Sequence, residues 1–217
     1  QEVRGFCDRE EGTVDGEVIQ LPEPRTDGEM SVEAAITARR SRREFADRSL
    51  TLEPLSQLLW CAQGVTGESG RRRAVPSAGA TIPLTVFAAM GADTVEGLEA
   101  GTYRYLPEVH ALRRTGQEDV RGQIARAALG QSFLQGAPLD ILVAANYSRT
   151  ARRYGERARR YVHMEVGHVG ENVHLQAEAL GLATVMVGAF DDAGVAEVFD
   201  LPENLAPLYL MPVGYAR

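Results

Sequence analysis

YVHMEVGHVGENVHLQAEALGLATVMVGAF, residues 161–190, changes its hydrophobic period two thirds of the way along. Val166, Val169, Val173, Ala177 and Leu180 recur at helical spacing, so a long helix is predicted from about Arg157 to Leu180, with Gly181 ending it. The apolar run that follows, 183–189 (ATVMVGA), reads as a buried strand. Working outward, 84–90 (LTVFAAM), 139–146 (LDILVAAN) and 207–213 (PLYLMPV) read the same way, and Tyr103 to Leu112, broken by Pro107, reads as a hairpin. Mixed helices around a central sheet follow.

Upstream, the first thirty residues are polar, carry Pro22 and Pro24, and read as an extended arm over 1–30. One domain is expected over 31–217. Ser31 can cap a helix carrying Val32, Ala35 and Ile36. That helix delivers Arg39-Arg40-Ser41-Arg42-Arg43-Glu44-Phe45 at its C-terminal end. Thr51 caps a second helix with Leu55, Leu58, Leu59 and Ala62 on one stripe, and Gly64 is predicted to end it as a left-handed cap. The glycines of 64–75 precede Arg71-Arg72-Arg73, but with no preceding strand and no lysine this is a mobile loop rather than a phosphate loop.

The 217-residue chain has a formal charge of −7, which argues against nucleic-acid and anionic-membrane binding, since both need broad basic surfaces. A small-molecule partner is expected. All 23 basic residues are arginine, so Schiff-base, pyridoxal-phosphate and Walker-type chemistry cannot be built here. Cys7 and Cys61 form no metal or redox pair. No apolar run reaches membrane-spanning length and no signal-like segment is present, so a cytoplasmic location is expected. The chain begins at Gln1, and removal of an upstream signal would instead imply export.

Four guanidinium groups within Arg39–Arg43 suit an anion such as phosphate, which they can grip bidentately beside the Ser41 hydroxyl. The plainer alternative is a solvated charged face. Pro76-Ser77-Ala78-Gly79-Ala80-Thr81 precedes a strand and is small enough for a planar ligand to approach the backbone. His163, His168 and His174 are five and six residues apart, which scatters them around a helix, so no metal site is expected. Neither a G-x-S-x-G elbow nor a G-x-G-x-x-G fingerprint is present.

In their order, the R-R-S-x-R-x-F run (Arg39 to Phe45), the P-S-A-G turn (Pro76 to Gly79), Tyr161 to Phe190, and PLYLMPVGY (Pro207 to Tyr215) resemble the FMN-dependent nitroreductase superfamily. The resemblance covers 31–217 and is strongest to the subgroup that also holds azoline (thiazole/oxazole) oxidase-like dehydrogenases. It implies an α+β nitroreductase fold, a central mostly antiparallel sheet flanked by helices, and a homodimer with the flavin at the interface. It also implies non-covalent FMN, with phosphate contacts from Arg39, Arg40, Ser41 and Arg43 and completion by Arg217. Pro76, Ser77, Ala78 and Gly79 would line the isoalloxazine, and the backbone at Gly188 and Ala189 would approach it.

The implied activity is transfer of reducing equivalents from NAD(P)H, as co-substrate, to a nitroaromatic or quinone. Two alternatives stand beside it: a substrate or peptide dehydrogenase of the azoline oxidase type, and a flavin-binding protein without turnover. Azoline oxidases are associated with a lysine–tyrosine pair; here Arg160-Tyr161 occupies a similar setting, and arginine is a poor base. Tyr161 is the candidate catalytic residue, positioning substrate. Glu171 stands where relatives commonly carry glutamine.

Overall fold

The structure is a computed structural model and describes residues 16–67 and 72–217. In chain order it contains β1 (Val18–Gln20), α1 (Val32–Ala38), α2 (Leu52–Gln63), β2 (Leu84–Met90), β3 (Gly101–Leu106) and β4 (Ala111–Gly116). There follow α3 (Arg121–Ala127), α4 (Phe133–Gly136), β5 (Leu139–Ala145), α5 (Tyr147–Tyr154), α6 (Ala158–Ala179), β6 (Leu182–Thr184), α7 (Asp192–Val198) and β7 (Ala206–Tyr215). The seven strands form one sheet in the order β1-β4-β3-β2-β5-β7-β6, with every pairing antiparallel.

β2 and β5 are buried at every position because both faces of the sheet are covered, and apart from Thr85 and Asp140 they are apolar throughout. On one face Val86, Ala88, Met90, Ile141 and Val143 pack against Leu55, Leu58 and Leu59 of α2 and Val162, Val169 and Val173 of α6. On the other, Phe87, Ala89, Leu142 and Ala144 meet Ile124, Val195 and Phe199 from the α3 and α7 side. The Phe87 and Phe199 rings meet edge to face at 6.3 Å.

Several sequence expectations need correction. The strand expected over 183–189 is hydrogen-bonded to β7 only over Leu182–Thr184; the chain then leaves the edge and returns for one isolated bridge, Val187 to Leu210. Val185 and Val187 still bury, in the second core, so the apolar run reported burial rather than pairing. Gly64 is the C-cap of α2 but not in the left-handed region: its φ is −58° and its ψ 152°. Thr51 stands at the N-cap of α2 without a side-chain capping bond, whereas Ser31 Oγ does accept from the Ala34 N–H at 3.1 Å.

Within the arm expected over 1–30, residues 1–15 lie outside the described residues, as does Cys7. Val18–Gln20 is not free: it adds the edge strand β1 along β4, and Leu21 is buried. Of the loop expected over 64–75, residues 68–71 lie outside the described residues, while Val65 bridges to Arg73. Among the described residues no helix is long and apolar enough to cross a membrane.

Candidate functional site

The arginine segment is an extended strap laid along the sheet edge. α1 ends at Ala38, with the Arg39 N–H donating to Ala35 O at 2.9 Å. Beyond it Ser41 bridges Thr184, the Arg42 N–H donates to Thr184 O at 3.0 Å, Phe45 bridges Ala216, and the Ala46 N–H donates to Tyr215 O at 2.9 Å. Phe45 fills the space beside Gly214, where a Cβ would lie 3.1 Å from its ring. These contacts hold Arg40, Ser41 and Arg43 at the surface, with Arg39 half-buried.

The guanidinium groups divide their work. Arg40 turns back to donate to Thr37 O at 3.0 Å and Arg39 O at 2.7 Å, capping the carbonyl end of α1. Arg42 forms an ion pair with Glu178 of α6, whose carboxylate also accepts from the Arg40 N–H at 3.2 Å. Arg43 lies over the Phe133 ring at 5.7 Å. His174 is buried below, with neither ring nitrogen hydrogen-bonded. Its burial, and then the Arg39 guanidinium beside it, hold the imidazole below the usual histidine range, so it adds no charge at neutral pH.

Gly188 and Ala189 continue from β6, exposed, on the same side of the molecule. Gln131, two residues before Phe133, donates to Ala189 O at 2.9 Å. The Tyr209 ring lies between Gly188 and Gly170 of α6. Arg217 follows Ala216, the bridge partner of Phe45, and is exposed. Arg39, Arg40, Ser41, Arg43 and Arg217 thus lie where the strap meets β6 and the end of β7, and Gly188 and Ala189 follow farther along the same edge, past the bridge to Leu210.

Pro76 to Gly79 lies elsewhere. It forms a 3-10 turn over Ala78–Ala80 with three residues at positive φ, Gly79 (59°), Ala80 (54°) and Ile82 (46°). Two of these are not glycine, and such residues persist only where their surroundings over-determine them. α5 supplies part of that constraint: Arg153 donates to Gly79 O at 3.2 Å, and Thr81 Oγ1 shares a hydrogen bond with Thr150 Oγ1 at 2.8 Å. Ser77 Oγ accepts from the Ile82 N–H at 2.9 Å.

Against the turn on the α6 side stands Glu165, which sequence reasoning passed over. Ser77 and the Ala78 N–H stand near enough to favour its charged form, yet the residue is 2% exposed and Oε1 has no partner. Burial pushes this carboxyl up to about 7. Tyr161, one turn earlier, packs edge to face on Tyr154 at 5.0 Å, and a Cβ at Gly79 would meet the Tyr154 hydroxyl at 2.6 Å. Tyr161 thus shares the neighbourhood of the turn, whereas Arg160 is exposed on an open groove of about 750 Å³ with Arg157, Arg159 and Met164.

The two groups of residues stand at different levels of α6. Glu178 anchors the arginine strap and Glu165 stands beside the turn; thirteen helical residues separate them, roughly 20 Å at 1.5 Å per residue. The histidines play separate parts, His163 sharing a hydrogen bond with Tyr147 at 2.7 Å and His168 facing solvent. Exposed Glu171 is one of the acidic neighbours of His174.

Residues 36–215 match the model of the nitroreductase family. Protein MJ1384 of Methanocaldococcus jannaschii, itself assigned to the nitroreductases, is 48% identical over 196 residues, 90% of this chain and 95% of that protein. The microcin B17-processing protein McbC of Escherichia coli is 29% identical over 175 residues, 78% of this chain and 64% of McbC. Among solved structures, a protein from Ralstonia eutropha assigned to the nitroreductases is 31% identical and superimposes with a TM-score of 0.81, covering 100% of this chain and 98% of that one.

Proposed function

Because the chain belongs to the nitroreductase family, an oxidoreductase family, we propose that it binds FMN without a covalent bond and passes reducing equivalents from NAD(P)H to a nitroaromatic or quinone. The arginine strap carries this reading: it presents guanidinium groups and the Ser41 hydroxyl along β6, from which the exposed backbone of Gly188 and Ala189 continues, an arrangement suited to a phosphate attached to a planar ring. FMN, when bound, supplies the electron-pair chemistry. Arg39, Arg43 and Arg217 would hold its phosphate, with Arg40 and Ser41 beside them. Gly188 and the turn at Pro76, Ser77, Ala78 and Gly79 would lie against the ring and leave no room for water.

The roughly 20 Å between strap and turn along α6 supports a site completed by a second copy, one supplying the strap and its two-fold mate the turn. Val32 and Ile36 are i, i+4 neighbours on α1 at 64% and 55% exposure, and with Met30 they give an apolar face available for such a homodimer. Sedimentation is expected to report a dimer; a monomer that keeps FMN tightly bound would contradict the arrangement.

Purified protein is expected to be yellow, to release FMN rather than FAD on denaturation, and to be bleached by NADH or NADPH in stopped-flow. Colourless protein that does not take up added FMN would sink the reading. The similarity to McbC favours a second reading, a peptide dehydrogenase, and bleaching by an azoline-containing peptide but by neither nucleotide would establish it. Tyr161→Phe is expected to leave FMN affinity intact and to lower turnover by no more than roughly ten- to a hundredfold, the low end of what positioned proton transfer contributes. A larger loss in steady-state assays would make Tyr161 the principal proton donor.

A further inference from the structure

A chain with a formal charge of −7 places six arginines and one glutamate within residues 149–160. The last three, Arg157, Arg159 and Arg160, line the open groove of about 750 Å³ at the start of α6, together with Glu156, His163 and Met164. All three are exposed, and among the described residues none of them is in an ion pair, with Glu156 or with any other acid. A solvated face interleaves opposite charges, whereas like charges one turn apart, as on Arg157 and Arg160, oppose the helix that carries them. Met164 is 55% exposed one turn beyond Arg160 and puts apolar surface into the same groove. Guanidinium groups around such a surface suit a phosphorylated nucleotide, with phosphates on the arginines and the base over the thioether. The volume is that of a small-molecule site.

The groove also has a definite place relative to the turn. Successive helical residues rotate by roughly 100°, so Arg157, Met164 and Arg160 lie about 40°, 60° and 100° round from Tyr161, all to one side of it. Tyr161 packs on Tyr154, whose hydroxyl stands at Gly79, and Arg153 donates to Gly79 O. Tyr161 therefore separates the groove from the turn assigned to the flavin ring.

We propose that this groove holds the phosphate-bearing half of the reductant and selects NADPH over NADH, with the 2′-phosphate among Arg157, Arg159 and Arg160 and the adenine over Met164. A phosphate monoester adds about two negative charges to those of the pyrophosphate. Three guanidinium groups against one carboxylate give the groove the net positive charge to receive them. The use made of the reductant rests on the flavin reading above; the affinity of the groove for a 2′-phosphorylated nucleotide does not.

The test begins without turnover. In calorimetric titrations adenosine 2′,5′-bisphosphate is expected to bind roughly tenfold or more tighter than 5′-AMP, which lacks only the 2′-phosphate, and to weaken as salt rises. Arg157→Ala combined with Arg160→Ala should lower affinity for the bisphosphate by roughly tenfold or more and remove most of the preference. Both side chains are exposed, so the double variant should fold and keep the wild-type affinity for FMN. Glu156→Gln, which takes away the one carboxylate of the groove, should tighten the bisphosphate roughly twofold. In stopped-flow at subsaturating concentration, NADPH, which gives the flavin a hydride and leaves as NADP+, should bleach about tenfold faster than NADH, and the double variant should lose that advantage through KM rather than kcat.

Equal affinity for the bisphosphate and 5′-AMP, or an undiminished preference in the double variant, would overturn the proposal even if both reductants bleach the flavin. Inorganic pyrophosphate binding as tightly as the bisphosphate would overturn it too, since no base would then be recognised. Protein that takes up no FMN yet keeps the preference for the bisphosphate would overturn the flavin reading and leave the nucleotide groove standing.

Discussion

Replacing Arg39 and Arg43 together by alanine is expected to weaken FMN binding by about two to four orders of magnitude, while thermal stability stays within a few degrees of the wild type. Each guanidinium can contribute one charge-assisted hydrogen-bonded contact to a phosphate dianion, roughly 1.5–3 kcal/mol, and tenfold in Kd corresponds to about 1.4 kcal/mol. The strap itself should survive, because its attachment to β6 and β7 runs through the backbone of Arg42 and Ala46, the Phe45 side chain, and the Arg42–Glu178 pair. Removing Arg39 also relieves His174 of a positive neighbour, so that imidazole should titrate at higher pH in the double variant. Fluorescence titration with FMN measures the affinity, and histidine NMR reports the second effect. Unchanged FMN affinity in a well-folded double variant would remove the strap from the site.

Gly64→Ala is expected to cost about 2–3 kcal/mol of stability, comparable to overpacking a rigid core position, and to lower Tm by roughly 5–10 °C for a chain of this size. The cause is contact rather than backbone handedness. With φ at −58° an L-residue is conformationally at ease, but a Cβ would stand 2.6 Å from the Trp60 carbonyl oxygen and 2.7 Å from Trp60 Cγ. That carbonyl accepts the Gly64 N–H at 2.7 Å, and the indole N–H of Trp60 donates to Val65 O at 3.3 Å, so neither group can move without breaking the end of α2. A left-handed cap would tolerate asparagine. Here Gly64→Asn should be at least as damaging as alanine, and rescue of stability by asparagine in thermal melts would refute the steric account.

Gly64 shows where a sequence stops being informative. A glycine after an apolar stripe marks the end of a helix, and α2 does end there, but the same letter serves a positive φ and a close approach equally well; only the position of Trp60 distinguishes them. The run 183–189 was legible as buried and misread as paired, since burial depends on the side chains and pairing on whether β7 presents free backbone groups in register. β1 left no hydrophobic trace because an edge strand of three residues, exposed at Val18 and Gln20, has one half-buried side chain to report it. Glu165 did leave a trace: an acid within the arc of Val162, Val166 and Val169 is a buried charge on any helix of that stripe. Which groups would receive it was not written there.

By itself, the sequence determined the principal helices and strands, their order and the chemistry they can carry. The 3.6-residue period of α6, the cap at Ser31, the stop at Gly181 and the mostly apolar runs at β2 and β5 are local consequences of backbone geometry and of burial on one face or two. The absence of lysine excluded whole classes of catalysis in the same local way. Tertiary structure alone decided which of these residues meet. It laid the arginine strap against Thr184 and Tyr215, set Glu178 and His174 beneath it, and placed Glu165 against Ser77 and Ala78 thirteen residues away along α6. The physical reason is that hydrogen bonds and desolvation act through distance in space, and α6, buried along one side of the sheet, fixes distances between segments far apart in the chain.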